Sequence, residues 1–439
     1  MSDWNKTPFS QLLLDSKDGE WGKSEEAVGL CEAIIIRGTD FADLDNPSGE
    51  FPRRWVKAHI VERKRLQPGD ILLETAGGTS TQSTGRSAFL KKSFFSHHSN
   101  IPVLCASFSR HMRLDTKKYS PRFIYYLLQT LHRTGYMTVF NTQHTGVSRF
   151  QYTAFKDHTE LQIPELPVQR KIAAILSACD ELIENNKRRI ALLEKLAEEI
   201  FREWFVRLRF PGYEQVKSVK GVPNGWQVLP FSQVVTVNPG ERIDKSDDVP
   251  FVGMEDLSVN SMFFAPKETR RGGQGAKFRN RDVLFPRITP SVENGKRGFV
   301  MTLADGQVGL GSTEFIVLRE KVIGPEHIYL LTCSADFRKH AELSMTGASC
   351  RQRVQEECFS FFLVKTPTCE IRQQFSEIVR PQFEQIHLLS HQIDRLTKTR
   401  DLLLPRLISG KLSVENLDIQ FPPGMAEELA SEERLAAHA

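Results

Sequence analysis

The chain repeats itself, and this constrains its fold more than any other feature. Gly69-Asp-Ile-Leu-Leu-Glu74 matches Arg281-Asp-Val-Leu-Phe-Pro286 at an offset of 211 or 212, and Thr145-Gly-Val-Ser-Arg149 matches Thr346-Gly-Ala-Ser-Cys350 at an offset of 201. An apolar strand ending near a proline follows each, Leu161–Pro167 and Phe361–Pro367. A long helical pattern comes next, carrying Arg170 or Arg372 at an offset of 202. Matches in one order at one spacing mark a duplicated unit. The unit is a strand-rich globule of roughly 150 residues followed by a long helix, and the order is globule, helix, globule, helix. Short β-type runs (Glu32–Ile36, Gly69–Glu74, Asp282–Phe285, Thr313–Leu318) alternate with Gly- and Pro-rich turns. A helical stretch opened by proline precedes each Thr-Gly motif, Pro121–Leu128 and Pro325–Leu331. These are α+β globules, not doubly wound sheets.

The helical patterns keep a heptad seam. In the first, Ile172, Cys179, Asn186, Leu193 and Ile200 alternate with Leu176, Ile183, Ile190, Ala197 and Trp204. In the second, Phe375, Gln382, Leu389, Leu396 and Leu403 alternate with Val379, Ile386, Ile393, Arg400 and Leu407. Asn186 and Gln382 are the polar interruptions that fix register in such seams. Pro381 lacks an amide hydrogen and is expected to bend or break the second helix. A helix of about 38 residues runs roughly 57 Å, longer than a small globule can cover. The expected solution is an antiparallel pair packed seam to seam, with an approximate two-fold axis and a globule at each end. Two amphipathic helices in separate cores form the alternative.

Composition and motifs exclude more than they assign. Lys+Arg 58 against Asp+Glu 54 leaves a net charge of +4, so nucleic-acid affinity would have to come from local patches. No apolar run approaches the ~20 residues of a membrane helix. The N-terminus lacks a secretory pattern, and the scattered cysteines without a CxxC pair fit a reducing cytoplasm. No phosphate-binding loop, dinucleotide fingerprint, zinc-protease motif or nucleophile elbow occurs. Neither Asn-Pro pair is followed by the proline and aromatic ring of an amino-methyltransferase. Glu62-Arg63-Lys64 reads as a solvated charge run, and His97-His98 as structural or surface residues. No catalytic residue and no metal site is assigned.

Two similar, unlike domains at fixed separation suit duplex DNA, whose backbone is itself two-fold symmetric and whose grooves recur about every 34 Å. Residues 267–297 hold nine Lys/Arg against three Asp/Glu, and residues 53–65 hold Arg53, Arg54, Lys57, Arg63, Lys64 and Arg65 against Glu62. Such patches suit phosphates. Base reading needs polar side chains on loops, Arg for guanine and Asn or Gln for adenine. The equivalent loops Thr75–Arg86 and Arg287–Arg297 supply Thr79, Gln82, Arg86, Arg287, Ser291, Asn294, Lys296 and Arg297. The Thr-Gly loops add Gln143, Ser148 and Arg149 in one copy, and Ser349 and Arg351 in the other.

Leu166-Pro-Val-Gln-Arg-Lys-Ile-Ala-Ala-Ile-Leu176, Asp180-Glu-Leu-Ile183, Ile200-Phe-Arg-Glu-Trp-Phe205 and Phe210-Pro-Gly-Tyr-Glu214 resemble the central conserved region of type I restriction–modification specificity subunits. Arg400-Asp-Leu-Leu-Leu-Pro-Arg-Leu-Ile-Ser-Gly-Lys-Leu412 resembles their distal conserved region. Cys369-Glu370-Ile371-Arg372 and Pro381 depart from the pattern and blur the start of the second helix. The resemblance implies target recognition domains at 1–165 and 211–366, conserved coiled-coil helices at 166–210 and 367–412, and a tail at 413–439. It implies a non-catalytic cytoplasmic subunit that reads the two halves of a bipartite site in double-stranded DNA. Two modification (methyltransferase) subunits and the restriction (motor-nuclease) subunits would be its partners. S-adenosylmethionine, ATP and Mg²⁺ would enter through those partners, with no cofactor on this chain. The solvent face of the first helix, including Glu181, Glu184, Lys187 and Arg202, would contribute to docking. The acidic tail reads as a loosely held helix. A self-sufficient nuclease or methyltransferase, and an adaptor that does not read DNA, are the alternatives.

Overall fold

The repeated motif Ile71–Glu74 forms a strand buried along its whole length. The computed structural model describes residues 4–46, 49–78, 83–144, 147–259, 261–347 and 352–437. It divides into two units, one comprising Met1–Glu184 with Asp394–Ala439 and the other Asn185–Ile393. The long helices Leu166–Phe201 and Cys369–Ile408 each belong partly to both.

In the first unit an antiparallel sheet runs in the order Leu13–Asp18, Ser109–Leu114, Ile71–Glu74, Ser87–Phe89. Successive side chains of a strand point to opposite faces. Ile71 and Leu73 accordingly pack with Phe123 and Leu127 of the helix Pro121–Arg133 and with Ile172 and Leu176 of the first long helix. Leu72 joins Ile34, Ile36 and Val103 of a second sheet. The unbroken apolar run is what burial on both faces demands. The second sheet has the order Arg53–Lys57, Leu30–Ile36, Val103–Cys105, the last two parallel.

The second unit repeats this plan. Val235–Val237, Phe315–Glu320, Val283–Pro286 and Gly298–Phe299 form its antiparallel sheet, and Val283 and Phe285 face one core while Leu284 faces another. Its second sheet pairs Asp248–Val252 with Gly309–Gly311 in parallel and gains one edge strand, Ala276–Phe278. The fold is α+β throughout, two similar units of mixed strands and helices sharing two long helices.

The repeat also begins earlier than the sequence matches indicated. Pro-Phe-Ser-Gln occurs at 8–11 and again at 230–233. In each unit it follows a strand, Asn5–Pro8 or Gln227–Pro230, paired with the strand before the long helix, Glu160–Ile163 or Leu363–Thr366. Phe9 and Phe231 are fully buried.

Hydrogen bonds correct two registers. Thr142 pairs with Arg149, and Thr346 with Arg353. Gln151 Nε2 donates to Thr142 Oγ1 at 2.9 Å, and Gln355 Nε2 to Thr346 Oγ1 at 2.7 Å. The true counterpart of Thr346 is therefore Thr142, not Thr145, and that of Arg149 is Arg353, not Cys350. The short Thr-Gly match was displaced by a few residues because turn residues recur by type. Similarly, Gln169 rather than Arg170 corresponds to Arg372. Gln169 Nε2 donates to the Lys118 carbonyl, and the Arg372 guanidinium to the Val322 carbonyl, each shortly before the proline that opens a helix.

The long helices pack antiparallel within each unit. In the first, Arg400 Nη1 donates to Asp180 Oδ1 at 2.7 Å, and Ile172 and Leu176 share a core with Leu404 and Leu407. In the second, Asn186 Nδ2 donates to Gln392 Oε1 at 3.2 Å, and Trp204 and Phe205 pack on Phe375 with ring centroids 5.7 and 4.7 Å apart. Of the seam residues, Ile172, Leu176, Ile183, Asn186, Ile190, Val379, Ile386 and Leu389 are buried. Leu193, Ile200, Ile393, Leu396 and Leu403 are half-buried.

A strict heptad does not hold in the second helix. Phe383 is buried where the seam predicted Gln382, and Leu404 where it predicted Leu403. A straight helix drifts about 20° per heptad, and here the globule also claims the helix face. Phe383 stacks edge-on against Phe299 and Tyr329, with centroids 4.9 and 5.6 Å away. Each unit's globule and helix pair thus share one core, combining the two arrangements the sequence left open. The expected break at Pro381 does not occur, and Cys369–Ile408 is one helix. Pro381 lies on the exposed side, where water can satisfy the carbonyl it leaves free, while Val379 and Phe383 remain packed.

The tail is held rather than loose. Helix Pro423–Ala437 buries Met425 in the first unit's core. Glu428 accepts two hydrogen bonds from Arg122, at 2.7 and 2.9 Å, and Gly424 N donates to Glu181 Oε2 at 3.1 Å. Arg122 is 6% exposed, so its charge needs a nearby acid. Glu428→Ala should free the tail helix and cost about 2 kcal/mol, below the usual figure for a broken buried pair because Ser177 still accepts from Arg122 at 3.1 Å. Hydrogen exchange over 423–430 checks this; unchanged protection would refute it.

Candidate nucleic-acid interface

Both loop sets singled out in the sequence meet in each unit. In the first, Asn141–His144 and Val147–Phe150 form a hairpin whose second strand pairs with Ala76–Gly78, the strand leading into the loop that ends at Arg86. Thr84 Oγ1 donates to Asn141 Oδ1 at 2.6 Å and lies 3.4 Å from Ser148 Oγ, tying loop to hairpin. In the second unit Arg353 bridges both Thr346 and Ile288, Val354 N donates to the Arg287 carbonyl at 2.8 Å, and Thr289 N to the Gln352 carbonyl at 3.2 Å. Two separated stretches therefore share one edge in each copy.

The individual side chains divide sharply. Arg149 and Asn294 are exposed, and Ser148 is half-exposed. Arg86 is held internally: its Nε and Nη2 donate to the buried Glu74 carboxylate at 2.9 and 2.6 Å, and Nη2 also reaches the Gly38 carbonyl. Arg287 pairs with Glu356 at 3.3 Å, Lys296 Nζ donates to the Met254 carbonyl at 3.0 Å, and Ser291 is buried. Arg297 turns inward over the Tyr329 ring, 5.6 Å from its centroid, and donates to the Gly295 carbonyl. Thr79, Gln82, Ser349 and Arg351 lie outside the described residues, as does the Gln143 side chain.

The basic runs are also less basic in space than in sequence. Lys267 pairs with Asp256, Arg270 with Glu268, Arg279 with Glu241 and Arg281 with Glu326. Arg54 stacks on Trp21, and Lys64 reaches Glu20. Most of these acids lie outside the run they neutralise, which a local charge count cannot register. Among the described residues no group of three or more His, Cys, Asp or Glu could hold a metal. Among the described residues no helix is long and apolar enough to cross a membrane.

Residues 60–195, the later part of the first globule with most of the first long helix, match the model of the type I restriction modification DNA specificity domain. The specificity subunit of the MjaIX type I restriction enzyme of Methanocaldococcus jannaschii is 26% identical over 311 residues, 67% of this chain and 70% of that protein. The HindI specificity subunit of Haemophilus influenzae is 22% identical over 360 residues, 66% and 77% respectively. Over these stretches the chain is similar to type I restriction–modification specificity subunits. The solved S subunit from M. genitalium shares the fold: TM-score 0.56, 14% identity, 92% of this chain and 96% of that one covered.

A specificity subunit is the DNA-recognition member of its system and has no catalytic role. What sequence reasoning missed in this chain is Arg353 together with its acid, Glu314. Arg353 Nε and Nη2 donate to Glu314 at 3.0 and 2.6 Å, and that contact holds the Glu314 carboxyl below its usual range. Aligning Thr142 with Thr346 would have exposed Arg353 as the partner of Arg149. Two residues assigned to docking are engaged within the first unit: Glu181 caps Gly424, and Glu184 accepts from Lys91 Nζ at 2.7 Å. Lys187 remains exposed, whereas Arg202 pairs with Glu199.

Proposed function

We propose that each unit reads one half of a bipartite, asymmetric DNA site through its loop-and-hairpin edge, and that the paired helices set the gap between the halves. The observation that carries this reading is the duplication of that edge: the same hydrogen bonds place Thr142, Arg149 and Gln151 in one unit and Thr346, Arg353 and Gln355 in the other. A shared scaffold with unlike loop residues is what two unlike half-sites require. The target recognition domains are 1–165 and 211–366, and the helices 166–210 and 367–412 form the spacer. Two modification subunits, and restriction subunits with them, dock on the helices and adjoining faces. Leu192 and Leu196, one helical turn apart and 66% and 50% exposed, supply apolar surface for such a contact. Adenine methylation with S-adenosylmethionine, and ATP- and Mg²⁺-dependent steps, belong to those partners in the cytoplasm.

Methylation-site mapping with the reconstituted modification complex would return two half-sites and a fixed gap. Deleting residues 185–191 together with the facing 387–393 removes one heptad from each helix. That shortens the pair by about 10 Å, close to 3 base pairs at 3.4 Å each. The preferred gap should change while both half-sites stay the same. An unchanged gap would sink the spacer reading; methylation by this chain alone would favour a self-sufficient enzyme.

A further inference from the structure

The duplicated edge is not equivalent at its centre. In the second unit Arg353 is fixed from two sides. Its backbone exchanges hydrogen bonds with Thr346 at 3.1 and 2.9 Å, and its guanidinium lies side-on against Glu314. Glu314 is itself anchored: its amide donates to Ser312 Oγ at 3.2 Å and its carbonyl accepts from Arg287 N at 2.8 Å. The pair is not buried away, since the Arg353 side chain is 45% exposed. A guanidinium carries five N–H donors in a rigid fork. With Nε and Nη2 turned to the carboxylate, the Nη1/Nη2 end meets no other partner among the described residues, and that end has the spacing for guanine O6 and N7.

The first unit has the same backbone without the acid. Thr75 N donates to the Phe108 carbonyl at 2.8 Å as Arg287 N does to that of Glu314, which makes Phe108 the counterpart of Glu314. Phe108 is 62% exposed, and among the described residues no carboxylate pairs with Arg149. An arginine without such a buttress keeps its rotamer freedom, and it suits a phosphate, which accepts from many directions, better than a base edge. We infer that Arg353, oriented by Glu314, reads a guanine in the second half-site, whereas its duplicate Arg149 makes a backbone contact without base choice. This rests on the two-edge reading proposed above and adds which residue discriminates.

The test uses the chain assembled with its modification subunits and a DNA library randomised across both half-sites, with bound or methylated molecules sequenced. The wild-type complex should select a guanine in the second half. Arg353→Lys and Glu314→Gln should each lower the preference for that guanine by roughly 5- to 150-fold, leaving the first half-site and the other positions of the second half-site sharp; the latter certifies folding of the second unit. Arg149→Ala should weaken binding evenly across sequences and reduce the salt slope by about one, with no base preference lost. A second half-site without guanine, or one that stays sharp in Arg353→Lys, would overturn the assignment while leaving the two-edge reading intact. A wild-type library with no bipartite motif would overturn both.

Discussion

Asp70→Ala should destabilise the first unit by roughly 3 kcal/mol, the low end for a buried pair deprived of one partner because Arg113 is partly exposed, and Asp282→Ala should cost the second unit less, because Arg319 keeps Glu241. The two aspartates are the matched second residues of the repeated motif, and each is 1% exposed. Asp70 accepts from Arg113 Nε and Nη2 at 2.8 and 2.7 Å, and from the Gln67 amide at 2.8 Å. Asp282 accepts from Arg319 Nε and Nη2 at 2.7 Å each, and from the Arg279 amide at 2.7 Å. One carboxylate thus closes the turn before the central strand and neutralises an arginine on the neighbouring strand. Alanine strands the turn amide in both units and the arginine in the first, whereas Arg319 keeps Glu241 as a second partner; an unmet buried amide alone costs about 1–3 kcal/mol. Asparagine keeps one acceptor and should cost less. Peptide-level hydrogen exchange in urea separates the units. Asp70→Ala should lower protection over 69–74 and 109–114 and spare 283–286, and Asp282→Ala should do the reverse. Equal loss in both units, or none, would show that these bonds are not the duplicated fastening they resemble.

The same aspartates show what sequence alone could carry. Gly69-Asp and Arg281-Asp announced the repeat because a bidentate acid–arginine contact tolerates little change, and the apolar run after them can only be a strand buried on both faces. Pro-Phe-Ser-Gln at 8–11 and 230–233 was equally legible, and would have set the copies in register from their first strand. The hairpins were harder. Thr-Gly pairs recur for reasons of turn chemistry, so a short match fixed the wrong register until Gln151 and Gln355 were seen to hold Thr142 and Thr346. The candidate interface was legible as loops but not as side chains. Arg86, Arg287 and Arg297 are matched by Glu74, Glu356 and Tyr329, partners that only folding brings near. Charge counted along a chain overstates charge presented to a ligand wherever acids arrive from distant strands.

The register also turns a buried histidine into a test of acid stability. His327 lies in the second unit where the first has Phe123, and it is 3% exposed among Phe205, Phe201 and Phe375, with ring centroids 4.2, 5.3 and 5.7 Å away. Burial, reinforced by the Arg372 charge, pushes its pKa down from 6.5 to about 3. The unfolded chain then binds a proton between those values that the folded chain refuses. The stability His327 confers is therefore complete above about pH 6.5 and drains away as pH falls toward 3. At pH 4.5 the loss is about 3 kcal/mol, two pKa units at 1.36 kcal/mol each. His327→Phe installs the residue of the other copy in a cage of rings already shaped for one, and removes the titration. The unfolding free energy of its second unit, from urea titration, should fall less between pH 6.5 and 4.5 than the wild type's, by an amount near that figure, while the first unit follows the same curve in both proteins. Identical pH dependence in wild type and variant would mean that the imidazole is solvated or already charged in the folded chain, and that the aromatic cage does not exclude water.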